Sequence, residues 1–207
     1  QAVGAQAHPV YVDTGLMRAG ESERVVKRFR EHLGIHVRHV RAARHFLSKL
    51  KGVTHPERKR RIIGKQFVQV FFREFKHHEM LAQGTLYPDV IESVSTYGPS
   101  DKIKTHHNRV HEVQRLIDQG RVVEPLKELF KDEVREVGRE LGIPHDMLWR
   151  HPFPGPGLAV RILGEVSPRR LALLRAADRI FIEELRAAGL YDRIWQAFGV
   201  LLPVKSV

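Results

Sequence analysis

One segment, the heptapeptide HPFPGPG at residues 151–157, limits the possible folds of this chain more strongly than any other. Proline fixes φ and removes a hydrogen-bond donor, whereas glycine permits positive φ and a close approach of the backbone. A regular helix or strand does not accommodate three prolines and two glycines around one aromatic residue. The segment therefore predicts a loop of fixed shape, which suits either the binding of an anion or a rigid connection between domains.

Composition narrows the class of protein. The chain has 207 residues, 42% of them hydrophobic, which is enough to bury the core of one large domain or two small ones. No apolar run approaches the roughly 20 residues that span a bilayer, and residues 1–7 lack the charged start of a signal peptide. Because cysteine is absent, disulfides, thiolate metal sites and cysteine nucleophiles are excluded. We therefore predict a soluble, cytoplasmic protein with no membrane partner.

The charge of the chain is strongly positive, with a formal net charge of +11 and a pI near 10.2. Such a chain attracts polyanions, which include nucleic acids and the phosphates of small substrates. Most basic residues alternate with acidic ones, as on a solvated face, and aromatic residues do not alternate with them as a single-strand stacking surface requires. Charge alone does not choose between these two classes of partner.

Hydrophobic periodicity predicts strands over residues 9–13, 35–40 and 80–82, with helices between them. This alternation is typical of an α/β fold with a mainly parallel sheet. Ligands of such sheets bind beyond the carboxyl ends of the strands. The first and third predicted strands end in candidate nucleotide-binding residues: Asp13, Gly15, Gln83, Gly84 and Thr85.

The rest of the chain differs in composition and in its hydrophobic pattern. Residues 94–108 are polar and rich in turn formers, which predicts a mobile loop, and a helix is expected from Pro125 to Leu141. Residues 159–163 are strand-like, and a helix starting at Ser167-Pro168 follows them. We place a domain boundary near residue 150.

Two alternative readings of these motifs are rejected. The tripeptide Asp13-Thr14-Gly15 also occurs in aspartic proteases, but those β-sheet enzymes need two such tripeptides, and this chain has one between helical segments. Its 13 histidines include adjacent pairs at 77–78 and 106–107, which cannot converge on one metal because neighbouring positions face different sides of a helix or strand. An Asp13 carboxylate that faces a ribose is the better interpretation.

Two further motifs carry charge. Asp89 and Glu92 are three residues apart, so they share one face of a helix directly after a strand end. Two acids in this position suit Mg²⁺ that bridges phosphates, although capping and surface acids have the same spacing. Lys104 lies in the predicted mobile loop, where it can close over an anion or remain solvated.

Taken together, the motifs resemble the synthetase portion of the GMP synthetase family, and they extend over essentially the whole chain. The resemblance implies an incomplete ATP pyrophosphatase domain at residues 1–149, of the adenine-nucleotide hydrolase type. It also implies an incomplete α+β dimerisation domain at residues 150–207. The motifs that carry the resemblance lie at residues 12–18, 59–64, 81–93, 103–108, 124–126, 131–135 and 150–158.

The resemblance also implies an activity and roles for residues. The family makes GMP: ATP adenylates XMP with release of pyrophosphate, and ammonia from a glutaminase domain or subunit then displaces AMP. ATP and Mg²⁺ are therefore expected ligands, and a homodimer through residues 150–207 is expected. The phosphates of these substrates account for part of the net charge of +11, so no nucleic-acid partner is expected. Catalytic roles pass to Lys104, Asp89 and Glu92, of which Asp89 and Glu92 hold Mg²⁺. ATP binding is assigned to Asp13, Gly15, Gln83, Gly84 and Thr85, and XMP binding to Arg60, Arg150, His151, Gly155, Gly157 and Gln196.

The sequence departs from the family pattern in three places. The phosphate-binding loop Ser-Gly-Gly-Val-Asp-Ser, expected before Asp13, is not found, nor is the amidotransferase domain, and residue 207 precedes the family's C-terminal Lys-Pro-Pro segment. We therefore expect a fragment that is inactive by itself. Two alternatives stay open at this point: a catalytically incomplete dimerisation or interaction fragment, and another ligase of the pyrophosphatase fold that acts on RNA.

Overall fold

The computed structural model describes residues 3–76, 78–94 and 111–204. The chain divides into two compact units. The first unit comprises residues 1–74 and 152–207, and the second comprises residues 75–151. Each unit contains a pair of parallel strands, and helix exceeds strand in both. The α/β class predicted from the sequence is confirmed at this level.

The secondary-structure elements are named in chain order. Short 3₁₀ helices lie at Gly4–Gln6, Gly157–Arg161 and Tyr191–Arg193. The remaining elements are β1 (Val10–Asp13), α1 (Glu21–Leu33), β2 (Arg38–Arg41), α2 (Ala43–Leu50), α3 (Pro56–Phe75), β3 (Leu81–Ala82), α4 (Tyr87–Val94), α5 (His111–Asp118), β4 (Val122–Val123), α6 (Lys131–Glu140), α7 (His145–Leu148) and α8 (Pro168–Ala187).

The first unit begins with a βαβ crossover. Strands β1 and β2 pair in parallel, with Val10 opposite Arg38 and Asp13 opposite Arg41. Helix α1 connects them and ends at Gly34, which adopts a left-handed φ of 63°. Glycine tolerates this conformation because it has no Cβ, and it commonly closes helices in this way. The first predicted strand and the predicted helix end are therefore confirmed here, and the second strand begins at Arg38, three residues later than predicted.

The core of the first unit joins segments that are distant in sequence. Side chains from β1, α2 and α3 pack against side chains from the C-terminal segment, including α8. Fully burying a Leu, Ile or Phe side chain stabilises a fold by roughly 1.5–3 kcal/mol, so this cluster binds residues 152–207 firmly to residues 10–70. The most deeply buried members are Leu16, Phe46, Leu50, Leu158, Ala159, Ile162 and Leu171.

The second unit has its own strand pair. Strand β3 pairs in parallel with β4, with Leu81 opposite Val122 and Ala82 opposite Val123. The expectation of a single sheet containing all three predicted strands is therefore wrong, since β1 and β2 form one two-stranded sheet and β3 and β4 form another. The Arg121 side chain fixes the β3–β4 pairing, because its guanidinium donates to the carbonyl oxygens of His78 and Glu79 just before β3.

Two predicted elements need correction. The helix expected from Pro125 begins only at Lys131, because the Glu133 carboxylate accepts the backbone N–H of Phe130 at 2.7 Å and ends the preceding turns. Residues 159–163 are a 3₁₀ turn followed by a single parallel bridge between Ile162 and Leu201. In so short a segment, periodicity alone does not distinguish a strand from a helical turn.

Other expectations have simpler outcomes. The helix start at Ser167 is confirmed, since its hydroxyl accepts the Arg170 backbone N–H at 3.3 Å. Residues 95–108 of the loop predicted at 94–108 lie outside the described residues. Within the described part of the chain, no helix has both the length and the apolar composition needed to cross a bilayer.

Candidate active site

A tight turn after β1 positions the first candidate nucleotide residues. Asp13 Oδ1 accepts the Gly15 backbone N–H at 2.8 Å, and Thr14 Oγ1 accepts that of Leu16 at 3.3 Å. Gly15 has a φ of +70°, and a Cβ at this position would lie 2.6 Å from the Ala43 Cβ at the start of α2. Only glycine fits this position, and the Asp13 carboxylate is thereby held at the end of the strand.

The same turn contacts the end of the proline loop within the first unit. Leu158 donates its backbone N–H to Leu16 O at 2.8 Å. Gly157 has a φ of +61°, and a Cβ there would lie 2.4 Å from that same oxygen. Because the backbone of Leu16 lies so close, residue 157 must be glycine, which explains one of the two glycines in the heptapeptide. Two of the predicted ligand-binding segments are therefore in direct contact.

A pocket of about 340 Å³ lies beside the turn. Small-molecule sites usually have volumes of about 300–1,000 Å³, so this pocket suits a small ligand or part of a larger one. Glu21 and Ser22 are its buried polar residues, and Glu21 accepts the Arg18 backbone N–H at 3.1 Å. The lining includes Asp13, Gly15, Glu21, Ser22, Leu171 and Arg175.

A buried cluster with surplus positive charge lies beside the proline loop. Asp178 Oδ2 lies 3.0 Å from Arg18 Nε, and Asp178 Oδ1 lies 3.6 Å from Arg161 Nη1. Both guanidinium groups lie over the Phe153 ring, at 5.2 Å for Arg18 and 5.0 Å for Arg161. Two cations thus share one carboxylate. Burial, followed by the charge of Arg18, lowers the pKa of Arg161, and Asp178 acts in the opposite direction.

The donors of this cluster are incompletely used. The Nη2 atoms of Arg18 and Arg161 are buried without a hydrogen-bond partner among the described residues, and Arg161 Nη1 and Asp178 Oδ1 face each other at 3.6 Å without a hydrogen bond. A buried, unpaired donor on a cation is costly, so the arrangement is suited to an anion. The sequence analysis missed Arg161 and Asp178. The only available signal was that Arg161 follows the heptapeptide closely.

Lys59 connects α3 to the segment after the proline loop. Its side chain is fully buried, and its ammonium donates to Ile162 O at 2.6 Å and to Ala159 O at 3.1 Å. Burial, and next the charge of Arg170, lowers the pKa of Lys59. The neighbouring Arg60, a predicted XMP ligand, is exposed and lies 3.6 Å from Glu57 Oε2.

The other predicted XMP ligands are divided between the two units. Gln196 donates its side-chain N–H to Pro152 O at 3.0 Å, so it lies against the proline loop in the first unit. Gly155 and Gly157 are also in the first unit, whereas Arg150 and His151 belong to the second. His151 is buried and Gly155 is exposed.

The second unit gathers polar residues at the carboxyl ends of β3 and β4. Because the two strands are parallel neighbours, Gln83 and Glu124 follow them side by side. The Thr85 hydroxyl donates to Glu124 Oε1 at 2.5 Å and lies 3.5 Å from Gln83 Oε1. Gly84 lies between these residues and is exposed. Glu124 lies in the motif at residues 124–126, to which the sequence assigned no role. Its contact with Thr85 places it among the polar residues of the candidate site.

The predicted magnesium ligands begin α4. Asp89 Oδ2 accepts the Leu86 backbone N–H at 3.0 Å, while Oδ1 has no hydrogen-bond partner in the described part of the chain. Glu92 lies three residues later in the same helix. Among the described residues, no group of three or more His, Asp or Glu side chains converges as a metal site. The Asp89 carboxylate still fits Mg²⁺, which usually takes one or two protein carboxylates together with substrate phosphates.

One predicted catalytic residue, Lys104, lies outside the described residues. The roles assigned to the other candidate residues stay predictions. The structure does bring Asp13 and Gly15 together in the first unit, and it brings Gln83, Gly84 and Thr85 together in the second.

The chain is similar to known proteins over its whole length. It is 57% identical over 207 residues to a GMP synthase [glutamine-hydrolyzing] of Chlorobium chlorochromatii. It is 58% identical to that of Pelodictyon phaeoclathratiforme and 55% identical to that of Debaryomyces hansenii. Each match covers 100% of this chain and 40% of the relative. The predicted resemblance to GMP synthases is confirmed.

Two further facts complete the comparison. No family model matches the chain. The chain spans about 40% of the length of the curated relatives it matches. With identity above one half over the whole chain, neither alternative is favoured, whether a catalytically incomplete dimerisation or interaction fragment or another pyrophosphatase-fold ligase acting on RNA.

Proposed function

We propose that this chain is the synthetase part of a glutamine-hydrolysing GMP synthase, an ATP-dependent carbon–nitrogen ligase. The observation that carries the proposal is the identity of 55–58% over the whole chain to proteins of that name. The buried surplus of positive charge beside the proline loop supports it independently. The guanidinium groups of Arg18 and Arg161 share one carboxylate there and are suited to an anion such as the phosphate of XMP.

The proposed reaction has two steps. The C2 oxygen of XMP attacks the α-phosphorus of ATP, and pyrophosphate leaves. Ammonia then attacks C2, and AMP departs with the oxygen. Because adenylation turns a poor leaving group into a good one, the protein needs chiefly to orient the substrates and to stabilise negative charge.

In this proposal the turn after β1 contacts ATP. The Asp13 carboxylate faces the ribose, and Gly15 lets the backbone come close to the nucleotide. Gln83, Gly84 and Thr85 contribute from the ends of the second strand pair, as expected for ligands of parallel strands. The 340 Å³ pocket beside Asp13 is large enough for part of the nucleotide.

The XMP phosphate is proposed to bind beside the proline loop. The unpaired guanidinium N–H groups of Arg18 and Arg161 supply donors there, in a buried setting that strengthens each hydrogen bond. Gln196 lies against the same loop through Pro152. The remaining proposed XMP ligands are Arg60, Arg150, His151, Gly155 and Gly157.

Asp89 and Glu92 are proposed to hold Mg²⁺. When bound, this ion offsets negative charge on the phosphates. The Asp89 carboxylate is held by its bond from Leu86 and keeps Oδ1 for a ligand. Lys104 is proposed to meet the reacting phosphates.

The proposal extends to organisation. We infer an ATP pyrophosphatase domain of the adenine-nucleotide hydrolase type at residues 1–149 and a dimerisation domain at residues 150–207, acting in the cytoplasm as a homodimer. Ammonia would come from a glutaminase domain or subunit. Leu173 and Ile180, seven residues apart on one face of α8, are 58% and 54% exposed, which supports a partner surface on that helix.

Binding tests the proposal without requiring turnover. Calorimetry with this chain should detect XMP and ATP, and GMP or IMP should serve as competitors for XMP. Arg161→Met should weaken XMP binding roughly tenfold or more, as expected for a lost charged hydrogen bond, and leave ATP binding unchanged. The matched control is Arg179→Met, because Arg179 is an exposed residue whose partner is Glu183.

Turnover gives the second test. XMP-dependent AMP production from ATP, Mg²⁺, XMP and ammonium should be seen with the Chlorobium chlorochromatii enzyme, the positive control, and should be absent with this chain alone, which we expect to be inactive by itself. A chain that binds neither XMP nor ATP would overturn the proposal. Binding of XMP without AMP formation would support the site and limit this chain to substrate binding.

A further inference from the structure

Three consecutive backbone carbonyls in the turn after β1 are held by the C-terminal segment of the first unit. The oxygens of Gly15 and Met17 accept hydrogen bonds from the Arg175 side chain, at 2.6 Å from Nη2 and 2.9 Å from Nε. The oxygen between them, on Leu16, accepts the Leu158 N–H at 2.8 Å. The backbone of residues 15–17 is therefore fixed by groups about 140–160 positions downstream in sequence.

Arg175 has the geometry that this clamp requires. A guanidinium group presents donors in a rigid, planar fork, so a single side chain can bind the two oxygens of Gly15 and Met17 at once. A lysine ammonium is a point charge on a flexible stem and does not reproduce this fork. The charge makes each of the two bonds stronger than a neutral hydrogen bond.

The clamp holds the carbonyl side of the turn, while the buried Leu16 side chain and the hydrogen bond from Ala42 N–H to Asp13 O hold other parts of it. Within the turn, the side chains of Asp13 and Thr14 accept the backbone N–H groups of Gly15 and Leu16, and Asp13 Oδ2 also lies 3.8 Å from His39 Nε2. The carbonyl oxygens on its other side depend on Arg175 and Leu158. If Arg175 releases the oxygens of Gly15 and Met17, the backbone of the turn loses two of its hydrogen bonds, and the Asp13 carboxylate at its start is held less firmly.

We propose that Arg175 is a positioning residue for nucleotide binding: it orients the turn that carries Asp13 and Gly15, and it does so through their backbone. This inference rests on the proposed function, since it takes the ligand of the turn to be ATP. Arg175 also lines the 340 Å³ pocket, so the clamp and the pocket share one wall.

The experiment compares substitutions at two arginines of α8. Arg175→Lys keeps the charge and removes the fork, and Arg175→Met removes both. Arg179→Lys and Arg179→Met are the matched controls, because Arg179 is exposed in the same helix and pairs with Glu183. Calorimetry measures ATP and XMP affinity for each chain, thermal unfolding measures stability, and hydrogen exchange measures protection of residues 14–18.

We expect Arg175→Lys to raise the ATP dissociation constant about tenfold, the effect of one lost charged hydrogen bond. Arg175→Met should raise it further. In both variants the amides of residues 14–18 should exchange faster, whereas the Arg179 variants should match the wild type. A purely structural role predicts a different result: Arg175→Lys binds ATP with wild-type affinity, and any loss of ATP affinity in the variants parallels the fall in their unfolding temperature.

The outcomes separate this inference from the proposed function. If the wild type binds ATP and Arg175→Lys binds it equally well, the positioning role is wrong and the proposed function stands. If the wild type binds neither ATP nor XMP, the proposed function is wrong and the nucleotide role of Arg175 with it. Unchanged exchange of residues 14–18 in Arg175→Met would overturn the clamp itself.

Discussion

The Lys59 ammonium lies 2.6 Å from the carbonyl oxygen of Ile162, although the two residues are 103 positions apart. It also donates to Ala159 O, and its side chain has 0% exposure. A fully buried lysine is rare unless its charge is satisfied. Here two backbone carbonyl oxygens are the acceptors of its charge, so Lys59 links α3 to the segment that follows the proline loop.

Replacing Lys59 by Met should destabilise the first unit markedly. The substitution keeps the apolar stem but leaves the oxygens of Ala159 and Ile162 buried without this donor, at a cost of about 1–3 kcal/mol for each. Urea unfolding measures the loss. Lys65→Met is the control, since Lys65 is exposed on the same helix and should change stability by less than about 0.5 kcal/mol. Equal losses of unfolding free energy in Lys59→Met and Lys65→Met would contradict a stabilising role for the Lys59 hydrogen bonds.

Stability should also depend on pH through Lys59. Burial lowers the pKa of this lysine below its value of 10.5 in the unfolded chain. Between the two pKa values the unfolded chain therefore binds more protons, so stability rises with pH in that window. The difference in unfolding free energy between the wild type and Lys59→Met should grow from neutral pH to about pH 10. A difference that is constant or shrinks over this range would contradict the lowered pKa.

Features set by neighbours in sequence were predictable. Gly34 closes α1 and the Ser167 hydroxyl caps α8, because both effects depend on residues within one helical turn. Strand β1 was also predictable, since its apolar run is bounded by a proline and a glycine turn. Asp13 and Gln83 lie at the ends of parallel strands, and these positions were also predictable from the apolar runs that precede them.

Features set by distant residues were not predictable. Nothing near Arg18 in the sequence indicates that it shares Asp178 with Arg161, because the pairing depends on how α8 packs. The pairing of β3 with β4 likewise depends on Arg121, about 40 positions after β3, so periodicity alone suggested a single sheet. The candidate site was therefore located by its motifs, while its charge balance became visible only in the fold.

Gly157→Ala should be more destabilising than an ordinary substitution of a left-handed glycine. A φ of +61° costs a residue with a Cβ about 1–3 kcal/mol, and the new Cβ would also lie 2.4 Å from Leu16 O. The backbone would have to move, because the obstacle is a carbonyl oxygen that is itself hydrogen-bonded to Leu158. We expect a lower unfolding temperature and weaker XMP binding.

Gly34→Ala separates strain from contact. Gly34 has a φ of +63°, and a Cβ there would meet nothing within 4 Å. Its substitution therefore reports the backbone cost alone. Chemical denaturation of both variants should show a larger loss for Gly157→Ala, and only that variant should lose XMP affinity. If the two losses are equal, the contact with Leu16 has no energetic weight.

Asp178→Asn should be among the most destabilising single changes in the first unit. The carboxylate is 3% exposed and is shared by Arg18 and Arg161, which are 12% and 4% exposed. Removing its charge leaves two buried cations facing each other, and breaking a buried ion pair in this way typically costs about 3–5 kcal/mol. An added anion that binds the arginines, such as inorganic phosphate or XMP, should restore part of the loss by binding the folded state.

The control for Asp178→Asn is Glu183→Gln, which removes the partner of Arg179 from an exposed pair on the same helix. Because exposed pairs contribute about 0–1 kcal/mol, this variant should unfold almost as the wild type does, with or without phosphate. Urea unfolding at several phosphate concentrations measures both effects. A phosphate response of Asp178→Asn no greater than that of Glu183→Gln would show that the two arginines do not form an anion site, even if the aspartate proves essential for stability.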